Sequence, residues 1–197
     1  MVNVQTLQQG LDHIEAHPEE WQQKSWFSPK RPPARLSSSW FPEARPRILT
    51  CETAACLAGT VTKQAGYLPV IKPMDSWVWR VILPSDLDGR NFAELSSYEI
   101  EGLSGEIPVV AAELLGLTAS EADVLFHEDN TRLDLWAIAY VLTEGQIFLP
   151  ADIGREDIRD YWSPSPSVVV GKVRHGKPYL ALLNSYADLL FRTAAVE

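Results

Sequence analysis

The chemistry most readily available to this chain lies in Cys51-Glu52-Thr53-Ala54-Ala55-Cys56, where two thiols stand five positions apart. Cysteines at that spacing can contribute to a zinc site, but such a site takes four protein ligands, or three and a water. His13 and His17, at i and i+4, complete a Cys2His2 set in composition. Helical periodicity turns His13 away from the Leu7, Leu11 and Ile14 face, which puts the histidines at the surface and the cysteines in the core. A nucleophilic thiol is a second possibility, since Thr50 or Thr53 could cap a helix and set Cys51 near its positive end, lowering the thiol pKa. That thiol needs a base, and although His127 and His175 are available, neither is set in a Cys/His signature. The small residues around the cysteines favour a structural role for both, so no cofactor is expected, with zinc on Cys51, Cys56, His13 and His17 as the alternative.

Other catalytic patterns are missing from the sequence. It has no Gly-x-Gly-x-x-Gly, P-loop, Gly-x-Ser-x-Gly or His-Glu-x-x-His. Asp86-Leu87-Asp88-Gly89 starts like a calcium loop, but the later oxygen ligands are not at the required spacing, and it reads as a turn. The remaining candidate is a recognition surface. Between Ser28 and Arg47 the chain carries five prolines and a triple serine, interleaved with Trp40, Phe41, Arg45 and Arg47. Prolines deny this segment a long regular element, and Trp and Arg are the residue types that most often anchor interfaces. Trp40, Phe41, Arg45 and Arg47 are therefore the expected partner-binding residues, against the alternative that the aromatics dock onto the core.

The elements that must hold these residues are mostly helical. Val4, Leu7, Leu11 and Ile14 predict a first helix ended by His17-Pro18, and Pro18-Glu19-Glu20-Trp21 a short second start. A helix is expected from about Thr53 to Ala65, capped by Gly66, and a strand from Trp77 to Leu83. Phe92 to Ile100 is ambiguous between strand and helix. Pro108 opens a helix closed by Gly116, and Thr118 with Glu121 forms a capping box for the next. From Thr131, Leu133, Trp136, Ala137, Tyr140 and Val141 make the apolar face of a helix stopped by Gly145. A short charged helix spans 154–162, a Ser-Pro-Ser-Pro linker follows, then a strand at 167–174 and a last helix from Pro178. The predicted fold class is α+β, mainly helical, with about six helices and a small two- to three-stranded sheet in a single domain, 1–197.

Composition bounds the partners. Of 197 residues, 46% are hydrophobic and 22% charged, ordinary values for a chain that builds its own core. The net charge of −9 repels phosphate backbones and anionic lipid, so direct nucleic-acid binding is disfavoured and a protein partner is expected. No stretch reaches the roughly 20 apolar residues of a membrane span, and the N-terminal residues show no secretory pattern. With two cysteines and no disulfide framework, a cytoplasmic location is expected.

The segment Cys51 to Gly59, with His13 to Trp21 before it and Leu115 to Phe126 after it, resembles a group of uncharacterised small proteins common in actinobacteria and their phages. The shared pattern is Cys-x-Thr-x-x-Cys-x-Ala-Gly. The chain departs from the group at Glu52, where Gly is frequent, and at Thr60, where an aromatic is. The resemblance implies an origin and no particular chemistry. Together these readings favour a non-enzymatic binding protein, a phage accessory factor engaging a host protein. The alternatives are a thiol- or zinc-dependent enzyme centred on Cys51 and Cys56, and an acidic mimic of nucleic acid.

Overall fold

The structure, a computed structural model, describes residues 1–24, 27–29, 47–48, 53–71, 80–162 and 187, with the backbone alone at 27–29, 47–48, 53–54 and 71. Among the described residues are seven α-helices: α1 (Val4–Ala16), α2 (Leu57–Gln64), α3 (Ser97–Leu103), α4 (Ile107–Leu115), α5 (Ala119–Leu125), α6 (Arg132–Leu142) and α7 (Arg155–Trp162). Six short strands accompany them: β1 (Phe27–Pro29), β2 (Arg47–Ile48), β3 (Thr53–Ala55), β4 (Leu68–Ile71), β5 (Arg80–Ile82) and β6 (Gly105–Glu106). The fold class is α+β and mainly helical, as the sequence predicts. β1 pairs with β3, and β2-β4-β5-β6 form a four-stranded antiparallel sheet.

Local chemistry places most helix ends. Asn3 caps α1 by accepting from the Thr6 amide, and His17 closes it by donating its N–H to the His13 carbonyl. Ser96 with Glu99, Thr118 with Glu121, and Thr131 with Asp134 form three capping boxes, starting α3, α5 and α6. The ambiguous 92–100 stretch is a 3-10 turn at Phe92–Glu94 followed by α3. At Gly116, φ is 65°, and the Leu117 and Gly116 amides donate to the Ala112 and Glu113 carbonyls, the paired bonds of a Schellman ending. The helix expected from Thr53 starts at Leu57. Thr53 to Ala55 instead pair with Phe27 to Pro29, because a strand partner outweighs the helix preference of alanine.

The main core gathers α1, α2, α4, α5, α6 and α7. Gly10 lets α1 approach α2 closely, since a Cβ there would lie 2.9 Å from Val61 Cγ2. α6 runs through the centre, and every residue from Asp134 to Leu142 is buried. Its expected apolar stripe is therefore wrong in one place: Leu133 is exposed, because a helix covered on all sides needs no stripe and its first turn projects outward. The stop also sits one residue early, with Glu144 already at φ 53° before Gly145 at 77°.

The polar groups that α6 and α7 carry into this core, Asp134, Trp136, Tyr161 and Trp162, are paired. Glu15 Oε1 accepts from Trp136 Nε1 and from Arg132 Nε, both at 2.7 Å, while Arg132 forks onto both oxygens of Asp152. The Arg132 hydrogen bonds hold the Asp152 carboxyl below its ordinary pKa. Tyr161 Oη donates to buried Asp134 at 2.6 Å, and the Trp162 indole donates to the Ala137 carbonyl. Together these bonds tie α1, α6, α7 and the chain between the last two into one scaffold. A smaller cluster of Val70, Ile82, Leu95 and Ile100 covers the sheet with α3. The segments expected as a linker, a strand at 167–174 and a last helix lie outside the described residues, except Ala187, which is helical and buried. Among the described residues no helix is long and apolar enough to cross a membrane.

Candidate functional site

Because α2 begins at Leu57, the cysteine at its N-terminal end is Cys56, and Cys51 lies outside the described residues. Cys56 is fully buried. Burial pushes its thiol up to about 12, outweighing the downward pull of the Gly59 and Ala58 amides. A thiol so held is a small core hydrophobe and a poor nucleophile at neutral pH. In native protein Cys56 is expected to resist a thiol reagent such as iodoacetamide and to react on denaturation, as read by mass mapping. Labelling of native Cys56 at the rate of a free thiol would contradict this.

The structure brings His13 and His17 to each other and to carboxylates. Their rings are tilted at a centroid distance of 4.7 Å. His13 Nε2 is 3.5 Å from Glu20 Oε2, and His17 Nδ1 is 3.7 Å from Glu19 Oε1. The side chains are partly exposed, as the helical wheel predicts for His13. Glu19 and Glu20, which the sequence reading used only to support a helix start, are the residues this grouping adds.

A second grouping surrounds Gln23, whose carbonyl oxygen accepts from the Trp21 indole and the Leu57 amide while its amide donates to the His127 carbonyl. Gln23 thereby fills a donor left open at the start of α2. Beside it is an open cleft of about 380 Å³ lined by Gln23, Lys24, Pro108, Phe126, His127 and Glu128, among others. Its wall mixes apolar Pro108, Ala122 and Phe126 with charged Lys24, Asp123 and Glu128. His127, named from sequence as a possible base, belongs to this cleft.

Among the described residues, Phe148 is exposed in an unusual way. Its side chain is 82% exposed although its neighbour Ile147 is buried. Gln8 of α1 holds its backbone at both polar groups, accepting from the Phe148 amide at 2.7 Å and donating to the Phe148 carbonyl at 3.1 Å. The same Gln8 amide donates to Asp12. One side chain thus does for Phe148 what a neighbouring strand would do, and Ile147 and Ile153 anchor the flanks in the core. Tyr98 is equally exposed, but its hydroxyl gives it a polar group suited to water.

Of the expected partner-binding residues, Trp40, Phe41 and Arg45 lie outside the described residues. Only the backbone of Arg47 is described, at the start of β2 and opposite Ile71 of β4. The two ends of the proline-rich segment are thus fixed by strand pairing, β1 on one side and β2 on the other. No family model, curated protein or solved structure matches the chain.

Proposed function

We propose that this chain is a non-catalytic binding protein, a phage accessory factor acting on a host protein, and that Phe148 is an anchor of its contact surface. The observation that supports it is the presentation of Phe148. An exposed phenylalanine without a polar handle gains nothing from water, and a rigid aromatic loses little entropy when a pocket takes it in. The carboxylate of Asp12, sharing Gln8 with Phe148, suits a partner whose apolar socket has cationic groups at its rim. Trp40, Phe41, Arg45 and Arg47 are proposed as a second contact segment, between β1 and the start of β2. The resemblance at Cys51 to Gly59 supports the phage origin.

The test uses one variant and two readouts. Phe148→Ala is expected to weaken binding to the captured partner by about 2 kcal/mol or more, while the melting temperature stays within about 2 °C of wild type, since an exposed side chain contributes little to the fold. Unchanged affinity would remove Phe148 from the interface. A stability loss large enough to account for the lost binding would make its role structural.

A further inference from the structure

Three side chains capable of binding a metal, His17, Glu19 and Glu20, come together just past the C-terminal end of α1, and His13 reaches Glu20 from the last turn. In composition the two histidines complete a set with the cysteines. The fold supplies two carboxylates instead. His17 ends α1 with φ −134° and ψ 58°, and Pro18 then opens a 3-10 turn that folds Glu19 and Glu20 back toward the histidine rings. The turn is fixed by the Glu20 amide donating to the His17 carbonyl.

We propose that His13, His17, Glu19 and Glu20 bind a divalent first-row cation of the zinc class. Ligand atoms of a tetrahedral zinc site, about 2.0–2.1 Å from the metal, stand roughly 3.3–3.4 Å from one another. The His13–Glu20 and His17–Glu19 separations of 3.5 and 3.7 Å need little contraction to reach that spacing. One ligand atom each from His17, Glu19 and Glu20 already lies within 4.8 Å of the others. Two imidazoles and two carboxylates suit zinc better than calcium or magnesium, which take oxygen. The location adds to the attraction, because the C-terminal end of a helix carries partial negative charge. Lys63 of α2 is the competing cation, with Nζ 3.6 Å from Glu20 Oε2. All four ligand side chains are partly or largely exposed, so an ion can reach them.

Titration of the full chain with zinc chloride in a calorimeter tests the site. One equivalent of zinc is expected to bind, with His13→Ala and His17→Ala each weakening it at least about tenfold and the pair abolishing it. Lys63→Met is expected to strengthen binding by removing the competing charge, and Cys56→Ser to leave it unchanged. These surface histidine and lysine changes should not move the melting temperature of the metal-free protein, which separates ligand loss from misfolding. Cobalt in place of zinc gives a second readout, with only weak d–d bands expected from nitrogen and oxygen ligands. Wild-type affinity in the doubly substituted histidine protein would overturn the proposal. So would an intense thiolate-to-cobalt charge-transfer band, which would place the metal on the cysteines, or the absence of any zinc binding.

Discussion

Trp136→Ala should destabilise the protein by about 3–5 kcal/mol, the range for truncating a fully buried aromatic. Trp136 is 1% exposed at the centre of α6, in a run in which every residue from Asp134 to Leu142 is buried. The truncation also removes the indole N–H from Glu15 Oε1, leaving that carboxylate on Arg132. Trp136→Phe separates the two contributions, since it keeps most of the apolar volume and loses the hydrogen bond to a charged acceptor, at about 1.5–3 kcal/mol. Urea unfolding of the three proteins measures both. A loss below about 1 kcal/mol for Trp136→Ala would mean that α6 does not occupy the centre of the core.

Gly116→Ala is expected to cost more than about 2 kcal/mol, because it combines a left-handed backbone with a collision. A Cβ at Gly116 would lie 2.5 Å from the Met1 carbonyl oxygen, and backbone cannot swing aside as a side chain can. The N-terminal segment is held against this turn by Asn3, whose amide donates to the Leu115 carbonyl at 2.8 Å. Gly66 is the internal control. It ends α2 with the same pair of Schellman bonds at φ 87°, yet a Cβ there meets nothing within 4 Å. Gly66→Ala should therefore carry the conformational cost alone, about 1 kcal/mol. Equal losses at the two glycines, measured by thermal unfolding, would show that the Met1 contact is not maintained.

Helix ends were the most legible features of the sequence, because they are written in adjacent residues. His17-Pro18 after α1, Thr118 with Glu121, Thr131, and Gly116 all act within one turn of the backbone they terminate. What depends on distant partners was hidden. The alanines before Cys56 favour a helix, and only pairing with Phe27 to Pro29 makes them a strand. Leu133 looked like part of an apolar stripe because a stripe assumes a wet face, which α6 lacks from Asp134 to Leu142.

The candidate sites divide in the same way. The i, i+4 spacing of His13 and His17 was readable, and so was their place at the surface. That Glu19 and Glu20 return to them depends on the backbone turn at His17, which local residue preference does not specify. Phe148 left no usable signal. It sits in the apolar run Ile147-Phe148-Leu149, where any of the three could face outward, and the glutamine that decides the matter is 140 positions away.

The binding-protein reading is tested most directly by placing a photo-crosslinking phenylalanine analogue, p-benzoylphenylalanine, at position 148 and irradiating the protein in cells of the actinobacterial host that the proposed origin implies. The account predicts one discrete crosslinked host protein from position 148, and none from the same analogue at Glu113, an exposed position on α4. It also predicts that excess wild-type chain competes the adduct away while excess Phe148→Ala chain does so poorly. A featureless smear, or an adduct equally strong from position 113, would contradict the claim that Phe148 is held out for a partner.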